Sequence, residues 1–169
     1  MGETKSLGTR EIAIIAVMSA LTIVATTISV NFAPTGGYFN FGDVIVVTTA
    51  LIFGSTIGGV AGGLGSALAD VYLGYGLFAP FTLVIKGVEG FVVGYIAGGK
   101  DNVSIYTKLV AWAIGGIIII AGYWIAEVVF LGMSVPAATT EAFTINILQA
   151  IISILGIPIS DQVKKRLNL

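Results

Sequence analysis

The 169-residue sequence contains no cysteine and no histidine. Without cysteine the chain cannot form disulfides or use a thiol nucleophile, and without histidine it lacks the commonest general base. The two absences together exclude the usual zinc sites. Charged residues are scarce too, at 10% of the chain against about 25% in a typical soluble domain. So few charges cannot cover the surface of a soluble enzyme, and a net charge of −1 gives no sign of nucleic-acid binding.

Apolar residues dominate instead, at 56% of the chain with a mean hydropathy of +1.01. Glycine accounts for 23 residues, about twice its usual share of ~7%. Small residues let helices approach closely where no water drives their association. The composition therefore predicts an all-α integral membrane protein with tightly packed helices, and it argues against an enzyme.

Six apolar stretches are candidate membrane spans, since a helix needs about 20 mostly apolar residues to cross the hydrocarbon. They predict a bundle of six transmembrane helices in a single membrane domain, 1–169, with spans at about 11–30, 41–53, 56–73, 80–98, 106–131 and 143–160. The stretch 31–40, which contains Pro34, and residues 139–141 are predicted as loops. Because residues 1–10 are polar and no cleavage site follows, the first span is predicted to be retained rather than removed as a signal peptide.

The basic residues indicate the orientation of these spans, because cytoplasmic loops carry an excess of lysine and arginine. They flank the first span, the loop after the fourth and the end of the sixth: Lys5, Arg10, Lys100, Lys108, Lys164, Lys165 and Arg166. With six spans all of these positions fall on one side of the membrane. Both termini are therefore predicted to be cytoplasmic, in a multi-pass protein of a prokaryotic cell membrane.

Five charged residues lie within the apolar stretches: Asp43, Asp70, Lys86, Glu89 and Glu127. Each would cost about 2.5–3.5 kcal/mol if it faced lipid at mid-bilayer, so each should face protein or water. In the predicted orientation all five lie in the outer half of the bundle, above an inner half with almost no charge. This asymmetry predicts a ligand pocket open to the outside with a closed floor. The alternative is a set of structural ion pairs and helix-end residues.

The sequence alone leaves the roles of several candidate pocket residues open. Lys86 and Glu89 share a helix face, so Lys86 either pairs with Glu89 or Asp70 or contacts a ligand. Tyr123 and Trp124 are either membrane-interface anchors or pocket residues beside the Glu127 carboxylate.

Polar and aromatic residues at the same depth complete the candidate substrate site. Asn146 and Gln149 share one face at the start of the sixth span, where they either bond to other helices or contact a ligand. The outer loops add side chains that can stack on a flat ligand or bond to it: Tyr38, Asn40, Tyr75 and Phe78.

Small residues recur at four-residue spacing in three of the predicted spans. One series leads to Asp70 and another follows Lys86, which places both charges towards packed protein: Gly54, Gly58, Gly62 and Ser66, then Gly90, Gly94 and Gly98. The first span has a small face made of Ala13, Ala16 and Ala20. This face either packs within the molecule or docks another membrane protein.

The sequence contains no nucleotide-binding motif, since the run 62–65 lacks the lysine and hydroxyl residue of a P-loop. Uphill transport would therefore need a separate ATPase. A rival hypothesis is a stand-alone secondary transporter that uses the buried charges as an ion or proton relay. Against it, the sequence shows no inverted repeat and the inner half lacks ionisable residues. A structural membrane subunit or an enzyme acting on lipids is a further alternative.

Several segments resemble the substrate-binding S components of energy-coupling factor (ECF) transporters. They are GYFNFGD at 37–43, LIFG at 51–54, GGVAG at 58–62, Ala69-Asp70 and FTLVIKGVEG at 81–90. The similarity covers essentially the whole chain and is greatest to the branch for riboflavin and hydroxymethylpyrimidine- or pyridoxine-type vitamins. The chain lacks the histidine that some thiamin-type relatives use, which disfavours thiamin.

The resemblance implies a function and partners. An S component binds a water-soluble vitamin near the outer face, then associates with a transmembrane coupling subunit and two ATPases and topples to release the vitamin inside. The face with Ala16 and Ala20 matches the motif through which S components contact the coupling subunit. The ligand contacts of the family map onto loop residues and spans four to six, here Lys86, Glu89, Tyr123, Glu127, Asn146 and Gln149. No cofactor or metal is implied.

Overall fold

The computed structural model describes residues 7–31 and 36–168, and within them the fold is all-helical apart from one short strand pair. We number its elements α1 (Thr9–Thr27), β1 (Ser29–Asn31), β2 (Tyr38–Asn40), α2 (Gly42–Phe53), α3 (Ser55–Leu73), α4 (Ala79–Ala97), α5 (Ile105–Phe130) and α6 (Val135–Leu167). The predicted all-α class is confirmed, and helices 2 to 5 begin and end within two residues of the predicted bounds.

The first predicted span and the loop after it differ from the structure. Helix α1 ends at Thr27 rather than at residue 30, and Ser29–Asn31 pairs antiparallel with Tyr38–Asn40, so that Val30 is opposite Phe39. The β-branched run that ends α1 explains the change, because such residues favour extended backbone. The two ends of the predicted loop therefore pair with each other as short antiparallel strands. Pro34 and Lys5 lie outside the described residues.

The sixth helix is longer at both ends than the predicted span 143–160. It runs from Val135 to Leu167, and Pro136 lies in its first turn, where a missing N–H costs nothing. Thr139 and Glu141 are therefore helical, and the prediction that residues 139–141 form a loop is wrong. Hydropathy did not indicate this helical start because the segment is too polar.

The surface of the bundle is apolar, as a lipid environment requires. Four described helices, α1, α4, α5 and α6, are long and apolar enough to cross a membrane. Helix α2 has only 12 residues, and the glycines and Asp70 of α3 lower its hydropathy. Large apolar side chains such as Val84, Ile117 and Ile151 are exposed, which is a pattern that soluble proteins avoid.

Glycine allows α3 and α4 to pack with their backbones in contact. A Cβ added to Gly90 would lie 2.3 Å from the carbonyl oxygen of Gly58, and one added to Gly94 would lie 2.5 Å from the carbonyl carbon of Gly54. Gly58 itself packs against Ala50 of α2, where an added Cβ would be 2.6 Å from its Cα. The predicted small-residue series thus form the interfaces of α2, α3 and α4, and they hold Asp70 and Lys86 inside the protein.

An apolar core fills the half of the bundle away from the strand pair. It joins side chains of α2, α4, α5 and α6: Val47, Ala50, Leu51, Val93, Ala97, Ala111 and Ile157. Basic residues gather at the end beyond this core, where Lys164 Nζ donates to the carbonyl of Lys100 at 3.0 Å and Lys108 pairs with Asp161. The bundle therefore has a polar end at the strand pair and a basic end opposite.

Candidate functional site

A cavity lies at the polar end, where α3 and α5 end and α4 and α6 begin. Strand β2 and the turn between α3 and α4 contribute to its walls. The lining residues are Gly37, Tyr38, Asn40, Asp70, Tyr75, Phe78, Thr82, Tyr123, Glu141, Ile145, Asn146 and Gln149. It combines aromatic walls with a few buried polar groups, as small-molecule sites do.

Most of the predicted substrate-site residues line this one cavity. They are Tyr38, Asn40, Asp70, Tyr75, Phe78, Tyr123, Asn146 and Gln149. Lys86, Glu89, Trp124 and Glu127 do not line it, although the three charged residues are buried around it. The structure thus brings together residues that are up to 111 positions apart, Tyr38 and Gln149 among them.

Tyr38 links the strand pair to the end of α3. Its hydroxyl donates to Asp70 Oδ1, and its ring centroid lies 4.5 Å from that of Tyr75. Burial and the adjacent Asp70 carboxylate raise the pKa of Tyr38, so its hydroxyl stays protonated and donates. The other Asp70 oxygen, Oδ2, is buried and has no hydrogen-bond partner among the described residues.

Asn40 and Gln149 form a structural connection between β2 and α6. Gln149 Oε1 accepts from Asn40 Nδ2 at 2.6 Å and from the Asn40 backbone N–H at 3.1 Å. Asn40 Oδ1 in turn accepts from the Gly42 N–H at 2.8 Å and begins α2. These bonds occupy both acceptor positions of Gln149 Oε1 and join β2 to α6, so their main effect is to fix the shape of the cavity wall.

A buried ion pair lies beneath the cavity. Lys86 Nζ is 2.5 Å from Asp43 Oδ1, and both side chains are almost fully buried. The expectation that Lys86 pairs with Glu89 or Asp70 is therefore wrong: the first turn of α2 brings Asp43 to the face of α4 that carries Lys86. Lys86 Nζ also lies 5.3 Å from the centre of the Tyr123 ring, whose hydroxyl is 3.0 Å from Thr82 Oγ1 in the cavity wall.

Two more carboxylates are enclosed near the cavity. Glu89 is 1% exposed, and Glu127 is fully buried with neither carboxylate oxygen hydrogen-bonded within the described residues. Glu127 interacts electrostatically with Glu141, which lines the cavity. The Glu141 carboxylate lies against Gly37, where an added Cβ would be 2.0 Å from Oε1, so a side chain at position 37 would displace the end of the Glu141 side chain.

Two π-helical turns occur beside the cavity, in α5 at Ala126–Phe130 and in α6 at Ala142–Asn146. They carry Glu127 and Asn146, and such turns often occur at functional sites because each inserts one residue into the helical register. Asn146 is 3% exposed and its Nδ2 has no hydrogen-bond partner within the described chain. The N–H donors of its side-chain amide are thus available to the cavity.

Trp124 has a different environment from the cavity residues. Its Nε1 donates to Thr139 Oγ1 at 3.1 Å, and its ring lies in an apolar surface groove between α5 and α6 with Ile117 and Phe143. This hydrogen bond connects α5 to α6. Trp124 therefore does not line the cavity, and the alternative that it is a membrane-interface anchor stays a prediction.

Four lining residues were absent from the predicted set: Gly37, Thr82, Glu141 and Ile145. Thr82 lies one helical turn before Lys86, so helical periodicity could have identified it. Glu141 was assigned to a loop because the start of α6 was placed too late. Gly37 and Ile145 carry no chemical signal of their own.

The small face of α1 is exposed. Ala13, Ala16 and Ala20 all face away from the bundle, while α1 packs through residues such as Ile15, Ser19 and Thr22. Packing within the molecule therefore does not explain these alanines, and the face is available to another protein or to lipid.

Two comparisons with known proteins complete the description. Residues 6–165 match the family described as ECF-type riboflavin transporter, S component. The chain is also 38% identical over 150 residues to a Pyrococcus woesei protein described as "Uncharacterized protein in gap 3'region", covering 88% of this chain and 97% of that one.

Proposed function

The chain belongs to the S components of ECF transporters, and we propose that it binds a riboflavin-, hydroxymethylpyrimidine- or pyridoxine-type vitamin in the cavity beside β2. Members of the family are membrane-embedded substrate-binding subunits of transporters, not enzymes. They bind a vitamin and associate with a coupling subunit and ATPases. For this chain the vitamin, the ligand contacts and the energising partners are part of the proposal.

The observation that carries the proposal is the composition of the cavity. Aromatic rings of Tyr38, Tyr75 and Phe78 border it, and buried polar atoms of Asp70 and Asn146 have no hydrogen-bond partner in the described part of the chain. A flat heterocycle with hydrogen-bonding edges fits both features, because rings stack on its faces and the polar atoms bond to its edges. In this proposal Lys86, Glu89 and Glu127 are buried around the cavity and help to hold its walls in place.

The closed floor supports binding followed by movement of the whole subunit rather than conduction through a pore. The apolar core around Val47, Leu51 and Val93 lies between the cavity and the basic end. A channel or a relay would need polar groups along that path. A stand-alone secondary transporter, the rival hypothesis, would use Asp70, Lys86, Glu89 or Glu127 as a relay, and of these Lys86 is already paired with Asp43.

We expect the purified chain to bind one of these vitamins without any energy source. Its denatured extract should contain the vitamin, identified by absorbance and mass, and titration of the vitamin-free chain should show saturable binding. Asn146→Ala should weaken binding about 5- to 150-fold, since an unsatisfied buried partner costs about 1–3 kcal/mol. The matched control is Thr140→Ala, at an exposed site on the same helix.

Two results would contradict this function. Absence of binding by any vitamin of the three types would remove the proposal, and uptake into vesicles by the chain alone, driven by an ion gradient, would favour the secondary transporter. If the Asn146→Ala and Thr140→Ala variants bind the vitamin with equal affinity, the ligand contacts lie outside α6.

We also propose that six spans cross the membrane with both termini in the cytoplasm. The grouping of Lys100, Lys108 and Lys164 at the end opposite the cavity supports this orientation. In this proposal α2 crosses the membrane as a short helix, and its polar first turn is buried within the protein.

Cysteine labelling in intact cells tests the orientation on a background with no native cysteine. Ser134→Cys at the start of α6 should react with a membrane-impermeant reagent from outside, and Asn102→Cys only after the membrane is opened. Both positions are exposed, and Ser134 is preferred to Thr139, whose hydroxyl accepts from Trp124. The reverse pattern would overturn the orientation.

A further inference from the structure

A second cavity lies at the basic end of the bundle, opposite the candidate vitamin site. The loop between α4 and α5, the first turn of α5 and the last turns of α6 form its walls, and its charged lining residues are Lys100, Asp101, Lys108, Asp161 and Lys164. Lys165 and Arg166 follow on α6 and are exposed. The segments 100–108 and 161–166 together carry five cations and two carboxylates, a net charge of +3. An anion that approaches this end therefore meets a net positive charge.

Two of the three lysines in this cavity have no carboxylate partner. Lys108 pairs with Asp161, whereas Lys100 and Lys164 form no ion pair within the described residues. Lys164 Nζ donates to the Lys100 carbonyl at 3.0 Å, and Lys100 Nζ donates to two carbonyls in the last turn of α4 at 3.2 and 3.3 Å. Since an ammonium has three donors, both groups keep at least one N–H for a ligand.

The carbonyl bonds hold these two ammonium groups in place without neutralising them. A carbonyl oxygen carries no net charge, and the carboxylates of Asp101 and Asp161 attract Lys164 without forming an ion pair with it. Side chains that are already positioned lose less conformational freedom when a ligand binds. The cavity thus presents two fixed cations with free N–H donors, and this is the chemistry that binds a phosphate group.

Apolar side chains beside the two walls place this cavity at the boundary with lipid. Ile105, one turn before Lys108 on α5, is 49% exposed, and Leu167, one turn after Lys164 on α6, is 61% exposed. Residues three apart share a helix face, so each apolar side chain lies next to a lysine of the cavity. A molecule that joins a phosphate to hydrocarbon chains covers both kinds of surface, whereas a free phosphate leaves the apolar side chains uncovered.

We propose that this cavity binds the phosphate of an anionic phospholipid in the cytoplasmic leaflet, with Lys100 and Lys164 as its ligands. Basic pockets at the cytoplasmic ends of membrane helices bind anionic headgroups, and each lysine near such a headgroup raises the affinity about fivefold. The inference uses the proposed orientation, in which the basic end is cytoplasmic. It does not depend on which vitamin binds, because this cavity shares no lining residue with the vitamin site.

The test titrates the purified full chain in a neutral detergent with two lipid probes, phosphatidylglycerol and phosphatidylcholine, and counts bound lipid by native mass spectrometry. Phosphatidylglycerol should bind about tenfold or more tightly than phosphatidylcholine. Lys100→Gln and Lys164→Gln should each lower the affinity for phosphatidylglycerol about fivefold. The control is Lys165→Gln, which removes the same charge from an exposed position outside the cavity and should change that affinity less than about twofold.

Three results would overturn the proposal. Equal affinity for the two lipids would show that the headgroup charge is not recognised. Equal losses in Lys164→Gln and Lys165→Gln would mean that the general charge of this surface, and not the cavity, attracts the lipid. Displacement of phosphatidylglycerol by millimolar inorganic phosphate at matched ionic strength would assign the cavity to free phosphate, whereas retention of the lipid supports the headgroup site.

Discussion

Replacing Lys86 with methionine should destabilise the protein by about 3–5 kcal/mol, because it leaves Asp43 buried without its partner. Asp43 is fully buried, and its second oxygen already has no hydrogen-bond partner among the described residues. Methionine keeps the length of the side chain, so the effect reports the lost charge rather than a cavity. Thermal unfolding in detergent, followed by circular dichroism, should show a midpoint lower by roughly 6–20 °C.

The chain provides its own control for this experiment. Lys108 pairs with Asp161 at the basic end, where the Asp161 side chain is 46% exposed. Lys108→Met should cost at most about 1 kcal/mol, because exposed ion pairs contribute little. The double variant Asp43→Asn with Lys86→Met should recover most of the loss, since it removes both buried charges. Equal effects of Lys86→Met and Lys108→Met would show that water reaches the inner pair.

The sequence predicted the polar end of this molecule better than it predicted individual contacts. Hydropathy identified the helices, and the cost of a charge in lipid required Asp70, Lys86 and Glu89 to face inward, as the structure has them. Helical periodicity relates residues on one helix, so it suggested the pair Lys86–Glu89. The actual partner, Asp43, comes from another helix, and only the packing of α2 on α4 reveals it.

Helix ends and π turns were the other features that could not be predicted. Residues 139–141 are polar in a region between apolar stretches, and Pro136 permits a helix start that hydropathy does not detect. The π turn at Ala142–Asn146 then changes which residues of α6 face the cavity. A constant helical period gives no warning of such a turn. Glu141 was missed for the other reason, because the start of α6 was placed too late, although Asn146 and Gln149 were found.

Ala16→Leu or Ala20→Leu should abolish uptake while leaving vitamin binding intact. This prediction depends on the proposed docking of α1 to a coupling subunit. Both alanines are exposed on α1, and neither they nor α1 contributes to the cavity lining. A leucine there keeps a partner helix from close approach, since small residues set the distance between membrane helices. Uptake by cells that contain the coupling subunit and ATPases should fall by about tenfold or more, while the affinity of the purified variants should change less than about twofold.

A matched substitution separates docking from a general effect of bulk at the lipid surface. Ala121 is exposed on α5 and lies in the apolar groove with Trp124, far in sequence from the alanine face. Ala121→Leu adds the same side chain to another helix, so it should leave both uptake and binding unchanged. Co-purification with the coupling subunit should be lost only in the α1 variants. If those variants assemble and transport like Ala121→Leu, the exposed alanines contact lipid alone, and the coupling subunit must bind another face, because a docking helix cannot tolerate an added leucine in its contact.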